Sequence, residues 1–169
     1  MGICLQNVMP NKLLIDTLRE KHPDIVYAVS DTFYWSPTER TVYYNPDDTT
    51  QAGLWALLHE TGHALLNHIT YYSDFELVKM ELDAWVEANQ MGNELNMHID
   101  EDHIEDCLDS YRDWLHKRSL CPTCNLAGIQ INAHVYECIF CHNTWRVSAA
   151  RFCRTYRRTL RSRTQPSTD

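Results

Sequence analysis

The chain is sparing with residues that loosen a fold. Five Gly and six Pro in 169 positions are too few for a low-complexity or collagen-like chain. No apolar run is long enough to cross a bilayer, and residues 1 to 10 offer no basic flank leading into a signal-type apolar stretch. The expectation is a soluble cytoplasmic protein with no membrane partner. Basic side chains are scarce over residues 1 to 110, where 5 stand against 20 acidic ones (5 − 20 = −15). Residues 111 to 169 reverse this, with 10 basic against 3 acidic (10 − 3 = +7), so the net −8 conceals two opposed regions. What is present, 44% hydrophobic and 11% aromatic residues, suffices for the core of one ordinary domain with a small appendage.

Periodicity gives an α+β organisation. Leu13, Leu14 and Leu18 recur at helical spacing from Asn11 to Lys21, and Pro23 stops the helix. Ile25 to Val29 and Thr41 to Tyr44 read as short strands of a mixed or antiparallel sheet, with a turn at Pro37 to Glu39. Thr49 or Thr50 caps a helix carrying Leu54, Leu57, Leu58 and Leu65, and Ser73 or Asp74 caps another that ends near Met91 and Gly92. Asp100 to Asp102 open a fourth helix with an apolar stripe from Ile104 to Leu115. Beyond Ser119 the pattern becomes short and β-rich. The Arg-rich end is expected to begin as a helix holding Phe152, Cys153 and Tyr156 and then to fray.

The second of these helices contains LLHETGHALLNH. Its His59, Glu60 and His63 form HExxH, which on a helix places two imidazoles on one face, with the carboxylate beside a water activated by the metal they bind. Glu60 is then the proton acceptor. Glu81, 18 residues beyond His63 in ELDAW, is the preferred third ligand, with Glu76 and Asp83 as competitors. Asp83 also suits a hydrogen bond to a ligand histidine. His68 falls off the ligand face and reads as a helix-end or supporting residue. Tyr71 and Tyr72 read first as packing residues and second as donors to an oxyanion.

LLHETGHALLNH followed by ELDAW resembles the ImmA/IrrE type of HExxH peptidase, a gluzincin-like family. The resemblance spans about residues 11 to 90. It implies a zincin-like domain in which the active helix follows a small sheet, with His59, His63 and Glu81 as zinc ligands and Glu60 as base. It also implies a protein substrate, among which DNA-binding regulators figure. Trp85 departs from the motif, which has a small polar residue there.

Seven cysteines are an odd number for a disulfide framework. Cys121 and Cys124 form CPTC and Cys138 and Cys141 form CIFC, two thiolate knuckles that suit a structural Cys4 zinc ribbon, closed to water. His134 and His142 are bland neighbours of a complete site, and Cys107 and Cys153 read as packed thiols. Trp145, Arg146 and the arginines 151, 154, 157, 158, 161 and 163 suit contact with nucleic acid, with protein, or with solvent alone. The expected layout is a zincin-like metallopeptidase domain over 1–118, a zinc ribbon over 119–148 and a basic helix or tail over 149–169, with one catalytic and one structural Zn2+. The leading function is hydrolysis of a peptide bond. The alternatives are a non-hydrolytic regulatory interaction protein and a nucleic-acid-binding zinc-ribbon protein.

Overall fold

A computed structural model describes residues 11–148 and 156–160. They form four helices and two small sheets, an α+β arrangement. No described helix is long and apolar enough to cross a membrane. Two compact units emerge: the residues up to Thr70 with Met80–Ile104, and Tyr71–Lys79 with the residues from Glu105 onward. The second unit takes in most of the fourth helix as well as the Cys4 segment.

In the first unit, α1 (Asn11–Lys21) buries Leu14, Ile15 and Leu18. Strands β1 (Val26–Val29), β2 (Tyr34–Ser36) and β3 (Thr41–Tyr44) form a mixed sheet in the order β1-β3-β2, with β3 parallel to β1 and antiparallel to β2. Central β3 buries Thr41, Val42 and Tyr44, as a strand flanked on both sides should. Helix α2 (Gln51–Leu65) starts at Thr50, whose hydroxyl accepts a hydrogen bond from the Gly53 N–H at 3.1 Å and so satisfies one open helical donor. Its Leu54, Leu57 and Leu58 enter the core.

Helix α3 (Asp74–Glu94) contributes its part from Met80 onward to this unit and buries Ala84, Trp85, Ala88 and Met91. It runs past the expected stop at Gly92. The residue with left-handed backbone is Asn96, at φ 54°, and the loop folds back so that Met97 N–H donates to the Gly92 carbonyl at 2.8 Å. A β-carbon on Gly92 would lie 2.7 Å from the Met97 carbonyl oxygen, so this glycine serves the returning loop instead of ending the helix.

In the second unit, Leu77 and the Trp114 and Leu115 side chains of α4 (Glu101–Ser119) form one core with Tyr71, Val78 and Tyr111 packed against it. Strands β4 (Ile129–Asn132), β5 (Val135–Glu137), β6 (Thr144–Val147) and β7 (Arg157–Thr159) form an antiparallel sheet in that order. Tyr136, Trp145 and Val147 pack with Cys121 and Cys138 on its inner face. Gly128 is obligatory here, because a β-carbon would collide with the Trp145 ring and lie 2.7 Å from the Glu137 carbonyl oxygen. Tyr156, expected within a helix, lies outside any helix, and the next three residues pair with β6. Phe152 and Cys153, with Arg151, Arg154, Arg161 and Arg163, lie outside the described residues.

Arg118 is fully buried and holds this unit together. Its Nη2 lies 3.1 Å from Asp74 Oδ1 and donates to the Ala133 carbonyl at 2.7 Å, while Nε donates to Tyr136 Oη at 3.2 Å. The guanidinium stacks 4.6 Å from the Trp114 ring centre. Tyr136 Oη donates to Asp74 Oδ2, and Gln130 Nε2 donates to Asp74 Oδ1 at 3.1 Å. Burial and this carboxylate push the Tyr136 phenol well above its ordinary range.

Asp74→Ala leaves a cation in the interior, and the expected loss is about 3–5 kcal/mol of unfolding free energy. Denaturant unfolding of the metal-loaded chain measures it, and a loss under about 1 kcal/mol would show that water, not Asp74, compensates Arg118.

Candidate metal centres

Two groups of metal-ligating side chains converge among the described residues: His59, His63 and Glu81, all buried, and the four cysteines 121, 124, 138 and 141. Each lies within one of the two compact units.

His59 and His63 stand one turn apart on α2 and share its inner face. Glu81 reaches them from α3 because Gly62 lets that backbone come close. A β-carbon on Gly62 would sit 2.6 Å from the Ala84 carbonyl oxygen, a contact that only glycine avoids. The result is a near-regular triangle. His63 Nε2 is 3.1 Å from His59 Nε2, and Glu81 Oε2 is 3.3 Å from His59 Nε2 and 3.6 Å from His63 Nε2. A tetrahedral zinc with bonds of about 2.05 Å separates its donors by about 3.3 Å. Two imidazole nitrogens and a carboxylate oxygen this close compete for the same few protons, and a cation bound by all three removes the conflict. The residues fit a metal.

The electrostatics agree. Burial pushes Glu81 up, but its hydrogen bonds to His59 and His63 outweigh this and bring it down to about 2. Burial pushes His63 down, yet the hydrogen bond and charge of Glu81, followed by the charge of Glu60, leave it raised. Glu81 is thus held as a carboxylate, and the proton on His63 is one that a metal would have to displace.

Around the triangle, the structure sorts the remaining candidates. Glu76 accepts from the Tyr72 N–H at 2.7 Å, a contact at the start of α3, and takes no place in the cluster. Asp83 takes no place in the cluster either; His63 Nδ1 lies 2.8 Å from His68 Nδ1, and His59 Nδ1 is buried without a hydrogen-bond partner among the described residues. His68 is therefore the supporting group for His63. Tyr71 packs against the Leu77 core and Tyr72 is largely exposed.

Glu60, one residue round α2, accepts a hydrogen bond from the Trp35 backbone N–H at 2.8 Å. The Trp35 indole N–H donates to the His68 carbonyl, also at 2.8 Å. One residue of β2 thus pins both Glu60 and the segment just beyond α2, a role invisible in a sequence where Trp35 reads only as a strand aromatic. Trp85 stacks on the His59 ring with centres 4.2 Å apart and 28° between planes. His103 meets Trp85 edge-on at 5.7 Å and Trp55 at 4.9 Å. The wall behind His59 is aromatic instead of polar, so ring contact orients that histidine.

The cysteine group is of another kind. Its sulfurs approach to 3.6 Å for Cys121–Cys141 and Cys124–Cys141 and 3.4 Å for Cys124–Cys138. A tetrahedral zinc with Zn–S bonds of about 2.3 Å needs about 3.8 Å. Backbone N–H groups of Thr123 and Cys141 point at Cys121 and Cys138 Sγ, each at 3.4 Å. Against burial, such N–H groups bring Cys121 down to about 6. At Cys138 the backbone N–H groups are the leading influence and lower it too. Despite a backbone N–H at each, burial and the adjacent sulfurs push Cys124 up to about 12 and raise Cys141. Four neighbouring thiols cannot all ionise alone, and a divalent cation lets them. His134 and His142 stay outside the set.

No protein-family model, curated protein or solved structure matches this chain.

Two zinc equivalents per chain are expected by elemental analysis under reducing conditions. Glu81→Ala and Gly62→Ala should each lose the equivalent held by histidine, and Cys121→Ala the other. A Gly62→Ala chain retaining both would break the link between helix approach and ligand geometry. On acidification, protons compete at His63, so zinc affinity at the His/Glu group should fall as pH drops through the raised His63 value and level off above it. Zinc titration with a chromophoric chelator between pH 5 and 8 reads this, and a flat profile contradicts it.

Proposed function

We propose that the chain is a zinc-dependent endopeptidase of the ImmA/IrrE kind, with a zincin-like catalytic unit and a structural Cys4 zinc ribbon. The observation that carries this reading is the His59–His63–Glu81 triangle with Glu60 beside it on the same helix. These three side chains would hold the ion and leave it open to water or substrate. Zinc bound there supplies Lewis acidity toward a peptide carbonyl and makes water acidic enough to attack near neutral pH.

The chain's own residues perform the rest. Glu60 accepts the proton of the attacking water and passes it to the departing amine, a transfer that contributes about 10²- to 10⁴-fold in comparable settings. Trp35 holds the Glu60 carboxylate through its backbone N–H, fixing the base before substrate arrives. Trp35 belongs to β2, an edge strand, and an extended substrate lying along α2 beside this edge, without pairing to the Trp35 N–H that Glu60 occupies, would meet the base. Trp85 and the aromatic rings behind His59 keep that side of the site dry, which strengthens each charge interaction within it. The substrate class that the family resemblance suggests is a DNA-binding regulatory protein. The cysteine group, with four thiolates, has no open position and serves folding.

Glu60→Gln should keep both zincs and lose at least about 100-fold in cleavage rate, measured on a mixed-proteome substrate with mass-spectrometric detection of new termini. Wild type that produces no new termini while carrying both zincs would favour the non-hydrolytic regulatory reading instead.

A further inference from the structure

Strand alternation sorts the basic residues of the last sheet. Trp145 and Val147 are buried, so Arg146 between them points to the opposite, solvent face. Its direct cross-strand neighbour is Arg158. Arg157, opposite Val147, turns the other way and donates to the Leu120 carbonyl at 2.8 Å. Only one of these two consecutive arginines is therefore available to a partner. Arg146 and Arg158 are exposed side by side, with α-carbons about 5.5 Å apart as in any hydrogen-bonded antiparallel pair.

Like charges placed directly opposite each other weaken a sheet. Among the described residues no ion pair engages either arginine, and the acid of this sheet, Glu137, lies 3.7 Å from His142. The sequence from residue 138 to 168 contains seven Arg and no Asp or Glu. A sheet that carries an uncompensated arginine pair in an acid-free segment is complementary to a polyanion.

A second observation narrows the partner. Tyr156, two residues before Arg158 and on the same side by alternation, is 57% exposed, and Phe140 in the second cysteine knuckle is 71% exposed. We propose that this outer face of β6 and β7 binds single-stranded nucleic acid, with adjacent phosphates at Arg146 and Arg158 and a base stacked on Tyr156. Open bases offer the flat faces that exposed rings take up, whereas a duplex turns those faces inward. An acidic peptide would satisfy the arginines and leave the rings in water. This activity is independent of peptide hydrolysis and survives Glu60→Gln.

The test uses the full chain with its metals and fluorescein-labelled single-stranded DNA and RNA oligonucleotides, read by anisotropy at several salt concentrations. Binding should weaken with salt, and Arg146→Ala with Arg158→Ala should weaken it about tenfold or more and reduce the salt slope by about 1.4, the value for two lost phosphate contacts on a single strand. Tyr156→Ala should weaken binding while leaving that slope unchanged, and Arg146→Lys with Arg158→Lys should preserve the slope. Zinc content and far-ultraviolet circular dichroism identify any variant that has misfolded. Wild-type affinity in the double variant, or no binding at low salt, overturns the proposal. Displacement by polyglutamate as effective as by unlabelled oligonucleotide also overturns it and assigns the face to acidic peptides. Preference for DNA or RNA tells which strand is bound.

Discussion

Where α2 passes α3, Gly62 presents no side chain to the carbonyl of Ala84, and the separation of the two helices follows from that missing methyl group. Helix packing ordinarily keeps axes 8–10 Å apart according to the side chains between them. At the narrow end of that range a glutamate three residues before Ala84 can reach two histidines on α2, and one extra carbon would wedge the helices apart. The hydrophobic residues on either side, Leu58 on α2 and Ala84, Trp85 and Ala88 on α3, are buried against the same core, so packing and ligand placement are solved by one contact surface.

The two donor groups illustrate different uses of burial. At His59, His63 and Glu81, burial raises the cost of every unpaired charge, so the carboxylate and imidazoles bind one another tightly in the absence of an ion and are preset for one. At the cysteines, local backbone N–H groups do the presetting, and the geometry is carried by two short knuckles with Trp145 and Tyr136 beneath them. The first group depends on elements distant in sequence and the second on turns. The first should therefore be the more sensitive to substitution far from the ligands.

Most of this was legible in the residues. The members of both groups are legible from spacing, because the i, i+4 rule and the CxxC knuckle are local geometry, and each group converges in the structure. Distance along the chain favours Glu81 over Glu76 and Asp83, and it is Glu81 that lies 3.3–3.6 Å from the two histidines. Thr50, the limits of α1 and the strands β1 and β3 also followed from local signals. The failures were nonlocal. Gly92 looks like a helix stop because nothing in sequence reveals a returning loop, and nothing in sequence brings His68 to His63 Nδ1. The spacing that would put Tyr156 in a helix does not show that Arg157–Thr159 pairs with β6. Trp35 and Gly62 carry no motif at all, and their roles emerge only when β2, α2 and α3 are assembled.

The contact between Trp35 and Glu60 bears also on how the chain avoids itself. An edge strand with open N–H and C=O groups invites another copy to pair with it and is a common start of aggregation. Strand β2 is three residues long, and Tyr34 and Ser36 direct their backbone groups toward β3, which leaves Trp35 as the residue facing outward. Its N–H is already taken by Glu60. A second chain approaching this edge meets a carboxylate where a donor should be, so the residue next to His59 on α2 also acts as a guard against sheet growth.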